Sequence, residues 1–226
     1  MITLLASVFF AAAPVQDVES AFATGSKPVV SEGASAREII ETCRAMIPRD
    51  VEIRGHFRLR SRRGSTKSVH NYVLKRIDGK TELSITDENG RNVEYKKEGF
   101  LLGEKSGVTI TWSDLALDYL WWDDVSFDIK KESETAQGIL GRVVLLKNAD
   151  RLIRVWVDKR TGAILQAHEL SKKADNEGDY EVKRELFCTS LKKFGERWAP
   201  KNIEVGPPGA KYRTKIVVED VREVNK

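Results

Sequence analysis

From Val51 to Arg60 the chain alternates. Val51, Ile53, Gly55, Phe57 and Leu59 are apolar or glycine, and Glu52, Arg54, His56, Arg58 and Arg60 are charged or histidine. A period of two places the two sets on opposite sides of a β-strand, so the segment predicts a sheet with one dry face and one wet face. Gly55, inside the run, predicts a bend or bulge. Strand-like segments follow at 68–77, 81–86, 93–95, 100–102, 125–131, 140–147, 152–158, 163–170, 180–193, 198–205 and 211–224. Turn residues separate them. Asp78-Gly79 marks a tight hairpin. Further turns fall at 61–65, 88–90, 148–150 and 159–162, a polar loop at 174–179, and Pro207-Pro208-Gly209 closes a strand. No strand–helix–strand alternation is visible, which argues against a parallel sheet. The expected fold is mainly β with a few helices: about eleven strands in one antiparallel sheet. A sheet that long must close or curl, so it should be strongly curved, with the helices covering its concave face.

Two segments depart from the period of two. In the first, Ile39, Ile40, Cys43, Met46 and Ile47 recur at helical spacing. Ser35 and Glu38 form a capping-box pattern at its start, and Pro48 marks its end. The second is Thr111–Asp124, TWSDLALDYLWWDD, which holds three of the five tryptophans and whose charged residues are all acidic. Its apolar residues fall at nearly every helical angle. It predicts a short helix or turn capped by Ser113, with Asp114 on the N-terminal dipole. Its Trp and Leu side chains should face the concave side as core, cavity wall or lid.

The N-terminus differs from the rest. Residues 2–13 are almost wholly apolar, about the length of a signal-peptide core and too short to span a bilayer. Ala21-Phe22-Ala23 supplies a small-x-small cleavage pattern, which predicts a signal peptide over 1–23, a flexible mature N-terminus over 24–34, and one domain over 35–226. Export to the periplasm follows. Cleavage would remove Asp17 and Glu19 and no Lys or Arg, raising the formal charge from +4 to +6. A basic exported protein can meet anionic surfaces electrostatically. Cys43 and Cys188 are the two cysteines. Export permits a disulfide, but both lie among apolar neighbours, so a bridge and two buried thiols stay open.

Catalytic patterns are absent. His56, His70 and His168 sit on separate strands without a ligand motif, and no nucleophile elbow, phosphate loop or dinucleotide fingerprint occurs. Asp114, Asp118, Asp123 and Asp124 lack a regular oxygen-ligand spacing and read more simply as capping and solvated acids. Arg58, Arg60, Arg62, Arg63 and Lys67 form a basic cluster. In an exported protein it reads as a wet strand face, with contact to a membrane surface or partner remaining and no nucleic acid expected. No metal, cofactor or enzymatic activity is expected.

Five segments, in order, resemble the LolA-like outer-membrane lipoprotein-sorting family. Ile110-Thr111-Trp112-Ser113-Asp114-Leu115 resembles its serine–aspartate–leucine segment, and residues 138–145 (GILGRVVL) its glycine followed by a strand. Residues 155–165 (VWVDKRTGAIL) resemble its "wvdk-tg-pl" hairpin, residues 194–204 (FGERWAPKNIE) its "GrWvPk" strand, and Arg213-Thr214 with 217–221 its closing strand. The resemblance spans roughly 36–224. It implies a half-open β-barrel capped by helices around a hydrophobic cavity for lipoprotein acyl chains or other lipid. It implies as partners an inner-membrane transporter and an outer-membrane acceptor, for a monomeric carrier. Family carriers gate the lid with an inward arginine, to which no arginine here aligns. The cavity wall or lid is expected to comprise Ile39, Cys43 and Met46 of the helix and Phe57, Leu59, Tyr72 and Leu74 of the first strands. Trp112, Leu115, Leu117, Tyr119, Leu120 and Trp121 of the inserted stretch, with Val155 and Val157, complete it. The rival expectations are an interaction module of the same fold with a filled interior, and an enzyme using the acidic cluster.

Overall fold

The structure, a computed structural model, describes residues 30–47, 50–61, 64–128, 131–172, 179–194 and 197–224. The signal peptide expected over 1–23, Pro48, Arg62, Arg63 and the loop residues 173–178 lie outside the described residues.

Helix α1 (Ala36–Ala45) begins as its capping box requires: the Ser35 hydroxyl accepts from the Glu38 amide, and the Glu38 carboxylate accepts from the Ser35 amide at 2.7 Å. Ala36, Ile39, Ile40 and Cys43 form its buried stripe. The strands are β1 (Val51–Ser61), β2 (Thr66–Ile77), β3 (Lys80–Asp87), β4 (Asp124–Phe127), β5 (Ser133–Ala136) and β6 (Ile139–Asn148), followed by β7 (Arg151–Asp158), β8 (Ile164–Lys172), β9 (Tyr180–Phe194), β10 (Arg197–Gly206) and β11 (Tyr212–Glu223). They form one antiparallel sheet in the order β3-β2-β1-β11-β10-β9-β8-β7-β6-β4, with β5 also on β6. Strands β4 and β5 occupy successive parts of the same edge of β6. The sheet is not closed into a barrel.

The period of two survives in detail. Val51, Phe57 and Leu59 of β1 are buried, and the alternating charged residues lie on the other face. Gly55 sits at a register shift between Arg54 and Gly55 opposite β11. A Cβ there would lie 2.1 Å from the Val217 carbonyl oxygen and 2.9 Å from the Tyr72 hydroxyl, so the bulge admits only glycine. Asp78 and Gly79 both adopt positive φ (50° and 75°), the backbone a two-residue hairpin needs to follow strand twist.

Three expectations are corrected. Residues 93–95 and 100–102 are not strands: this region carries only single bridges, Thr86↔Asn92 and Phe100↔Thr111. Gly99, Gly103 and Gly107, all at positive φ, break extended backbone repeatedly, yet Leu101, Val108 and Ile110 pack into the core as irregular chain. A strand not expected, β5, appears instead, joined to β6 through Gln137 and Gly138 at positive φ. Finally, the arm over 24–34 is described from Val30 onward, and there it is packed. Val30 is buried and donates to the Lys159 carbonyl, and the Glu32 carbonyl accepts from Arg142.

The segment between β3 and β4 folds onto the concave face with α1. It contains α2 (Trp112–Ala116) and a 3₁₀ turn (Asp118–Trp121), joined at Leu117, whose φ of 51° is left-handed. Together with the inner sides of the strands these pieces enclose one main core.

Candidate functional site

The cap of α2 is not Ser113 but Thr111. Asp114, at the third helical position, accepts from the Thr111 amide at 2.6 Å and from its hydroxyl at 3.0 Å. Ser113 is buried and accepts from Arg151 at 3.0 Å. The acids thus divide. Asp114 is buried and structural, while Asp123 and Asp124 are exposed. Among the described residues no group of three or more His, Cys, Asp or Glu could hold a metal ion.

Five arginines from four elements of the scaffold hold the inserted segment. From α1, Arg44 donates to the Leu120 carbonyl at 2.6 Å and Arg37 to the Asp123 carbonyl at 2.7 Å. From β2, Arg76 donates to the Ala116 carbonyl at the end of α2, and its guanidinium lies 4.2 Å from the centre of the Trp121 ring. From β7, Arg151 reaches Ser113 and lies 5.0 Å from the Trp122 ring. From β9, Arg184 donates to the Thr109 carbonyl at 3.0 Å and pairs with Asp114 at 2.8 Å and Glu169 at 2.9 Å. Arg184 is deeply buried but opposed by two carboxylates, which raise its pKa against the opposing effect of burial. Planar guanidinium forks suit this task, since one side chain can serve two acceptors at once.

Beneath this lid lies an apolar cavity of about 90 Å³. Its roof is Cys43 of α1, Met46 and Ile47 just beyond the end of that helix, and Leu115, Ala116, Leu117 and Tyr119 from the inserted segment. Its floor is the inner face of the sheet, with Ile53, Tyr72 and Arg76 from the first strands and Leu186, Cys188, Ile203, Ile216 and Val218 from the last. The lining is hydrocarbon and thiol apart from a few polar groups. The Tyr119 hydroxyl is buried without a hydrogen-bond partner among the described residues, and burial holds its pKa well above the ordinary phenol value. Burial likewise pushes both thiols up to about 12. Cys43 and Cys188 are free.

Of the residues expected to form wall or lid, Cys43, Met46, Tyr72, Leu115, Leu117 and Tyr119 line this cavity. Ile39, Phe57, Leu59, Leu74, Leu120, Val155 and Val157 are buried in the protein around it. Trp112 is half-buried and stacks on Tyr95 at 5.9 Å. Trp121 is 43% exposed and packs against Arg76 outside the cavity. Sequence reasoning passed over the lining from β9, β10 and β11. Their inner-face positions were readable from the period of two. What was not readable is that β11 pairs with β1, which brings the last strands beside the first under one lid.

Other family-like motifs also have local reasons. In the β7–β8 turn, buried Asp158 accepts from the Arg160 amide and the Thr161 hydroxyl. A Cβ on Gly162 would meet Thr42 of α1 at 2.8 Å. On β11, Thr214 is fully buried and its hydroxyl accepts from the Thr109 amide at 2.9 Å, fastening the inserted segment at its near end.

An uninterrupted, unclosed antiparallel sheet, curled around an apolar cavity and covered by two helical pieces, is the half-barrel class of fold. It is a LolA-like fold. A LolA superfamily protein from Nitrosomonas europaea superposes with a TM-score of 0.61 at 9% identity, over 86% of this chain and 96% of that one. A domain described as an outer membrane lipoprotein-sorting protein domain, from Vibrio parahaemolyticus, gives 0.54 at 15% identity over 83% and 91%. A DUF1329 family protein from Desulfovibrio piger gives 0.54 at 14% over 84% and 93%. No family model and no curated protein matches the sequence. Among the described residues no helix is long and apolar enough to cross a membrane.

Proposed function

We propose that the protein is an exported periplasmic carrier that takes lipoprotein acyl chains, or another lipid, into the cavity beneath the α1/α2 lid for delivery toward the outer membrane. The observation that carries this reading is the apolar lining of that cavity in a LolA-like scaffold whose lid is attached through a handful of arginine contacts. A groove of this chemistry needs no catalytic group. Each buried methylene contributes about 0.8 kcal/mol, so about ten of them contribute on the order of 8 kcal/mol toward displacing the lid.

Small-molecule pockets begin near roughly 300 Å³, and this cavity holds about 90 Å³. On the carrier reading this is the closed form, and an acyl chain enters only as the lid lifts. The same observation favours a second reading, an interaction module of this fold whose interior stays filled. Native mass spectrometry of the mature protein, incubated with a triacylated lipopeptide and with phospholipid, separates the two. The carrier reading expects a mass shift by a whole lipid and protection of Cys43 and Cys188 from an apolar maleimide. If no lipid is retained and thiol reactivity is unchanged, the filled-module reading stands. Sequencing the mature N-terminus tests export, with Thr24 expected first.

A further inference from the structure

The arginines on the wet face of β1 play no part in the cavity. Arg58 and Arg60 lie on the convex side of the sheet, opposite in sense to buried Phe57 and Leu59. Across the ladder Arg58 faces Lys215 and Arg60 faces Arg213. Like charges directly opposite on neighbouring strands are destabilising, and here two such pairs stand side by side. Arg60, Ser61, Gly64, Glu204, Arg213 and Lys215 line a cleft of about 320 Å³.

The cations outnumber their local partners. Glu185 pairs with Arg213 at 2.8 Å, and Glu204 faces Lys215 from β10. Among the described residues Arg60 has only the Gly64 carbonyl, at 3.5 Å. The Nε of Arg58 is buried and without a hydrogen-bond partner among the described residues. Burial, and then the positive charge of Arg58, lowers the pKa of Lys215. This face is therefore short of negative charge and has unused donors directed by half-buried side chains. Arginine forks take two oxygens of a phosphate at once, and a lysine adds a point charge.

We propose that this convex-face cleft binds a phosphate-type anion, presented as the headgroup of an anionic phospholipid or as free phosphate. It lies on the opposite side of the sheet from the lipid cavity, so it goes beyond the carrier reading and does not depend on it. Filling it neutralises the facing cations and brings the protein to a negatively charged surface without occupying the cavity.

The test uses the mature chain in two arms. In one, co-sedimentation is measured with vesicles of phosphatidylcholine containing phosphatidylglycerol, against phosphatidylcholine alone. In the other, the melting temperature is followed as inorganic phosphate is added. Arg60→Ala and Lys215→Ala are compared with Lys105→Ala, an exposed lysine of the 3₁₀ turn Glu104–Ser106 that does not line the cleft. Each site variant is expected to weaken binding about fivefold, as for one cation at an anionic surface, while Lys105→Ala leaves it unchanged. Without ligand, the site variants should melt no lower than the parent, because a like-charge opposition has been removed. Site-dependent loss in either arm supports the cleft, and the responding arm identifies a headgroup or free phosphate. Absence of binding in both arms overturns the proposal, as does an equal loss in Lys105→Ala. Neither result bears on the cavity, which the lipopeptide experiment addresses separately.

Discussion

At the scale of single residues, the chain commits itself most firmly where a side chain is missing or held neutral. Gly55 is the first case. Alanine there would place a carbon 2.1 Å from the Val217 carbonyl oxygen, a backbone atom of the neighbouring strand that cannot swing aside. Gly55→Ala should therefore destabilise by about 1–3 kcal/mol, in the range of overpacked cores, read as a fall in the urea midpoint. His168 is the second. Burial, and then the charge of Arg154, hold its pKa down to about 4, against 6.5 in the unfolded chain. A depressed basic group contributes stability that is present above its unfolded pKa and lost as pH falls toward its folded one. The protein should weaken between pH 6.5 and 4, on the order of 1–3 kcal/mol after allowance for partial exposure. His168→Gln, which keeps a polar group beside Gln166, should flatten the profile in that window. An unchanged acid limb would show that the imidazole is not the group responsible.

At the scale of elements, what could be read from the sequence and what could not divide along a physical line. Local rules were legible: the Ser35/Glu38 capping box, the Asp78-Gly79 hairpin and the alternation of β1 all hold in the structure. The expectation of about eleven strands held although two of the expected segments dropped out and one unexpected strand entered. The pieces at 93–95 and 100–102 had strand-like composition but find only single bridges, whereas the polar Ser133–Ala136 pairs because β6 leaves an edge open to it. Most of the lid's attachment was also invisible, since Arg37, Arg44, Arg76, Arg151 and Arg184 are scattered through the chain and converge only once β1 has met β11. Removing one member of a buried pair leaves an uncompensated charge, typically costing about 3–5 kcal/mol. Arg184→Met leaves Asp114 and Glu169 facing an apolar side chain and should lower stability by about that amount in denaturant titration. Arg76→Ala should act differently. It frees the end of α2 at one carbonyl and one ring contact, so global stability should drop by only about 1 kcal/mol. Alkylation of Cys43 and Cys188 by a small maleimide should nevertheless accelerate as the lid lifts. A slow reaction in Arg76→Ala, equal to the parent's, would remove this arginine from any part in closing the cavity.

At the scale of the whole molecule, an unclosed sheet must shield its concave side with something other than strands, and the choice of α1 and the inserted segment leaves two thiols facing each other's surroundings in the dark. That has a consequence for alkaline stability that reports on the cavity as a unit. Both thiols are buried with pKa values near 12, against 9.0 when exposed. Below pH 9 they are protonated whether the chain is folded or not, and they make no difference. Above it the unfolded chain releases two protons that the folded chain keeps, so stability falls as pH rises from about 9 toward about 12, by up to about 4 kcal/mol per thiol. Cys43→Ala and Cys188→Ala should each remove part of that slope, at the expense of some packing at neutral pH, and the double variant should remove most of it. A cargo chain seated between the thiols would keep them dry, so the closed slope should persist in the lipid-loaded protein. A lid forced open by Arg76→Ala should admit water, bring the two pKa values toward 9, and reduce the slope. Urea titrations at pH 8, 9 and 10 on the parent and these four variants measure this directly. A slope unaffected by either cysteine substitution would mean that the alkaline loss arises elsewhere, with the buried Tyr119 hydroxyl the next group to replace, by phenylalanine.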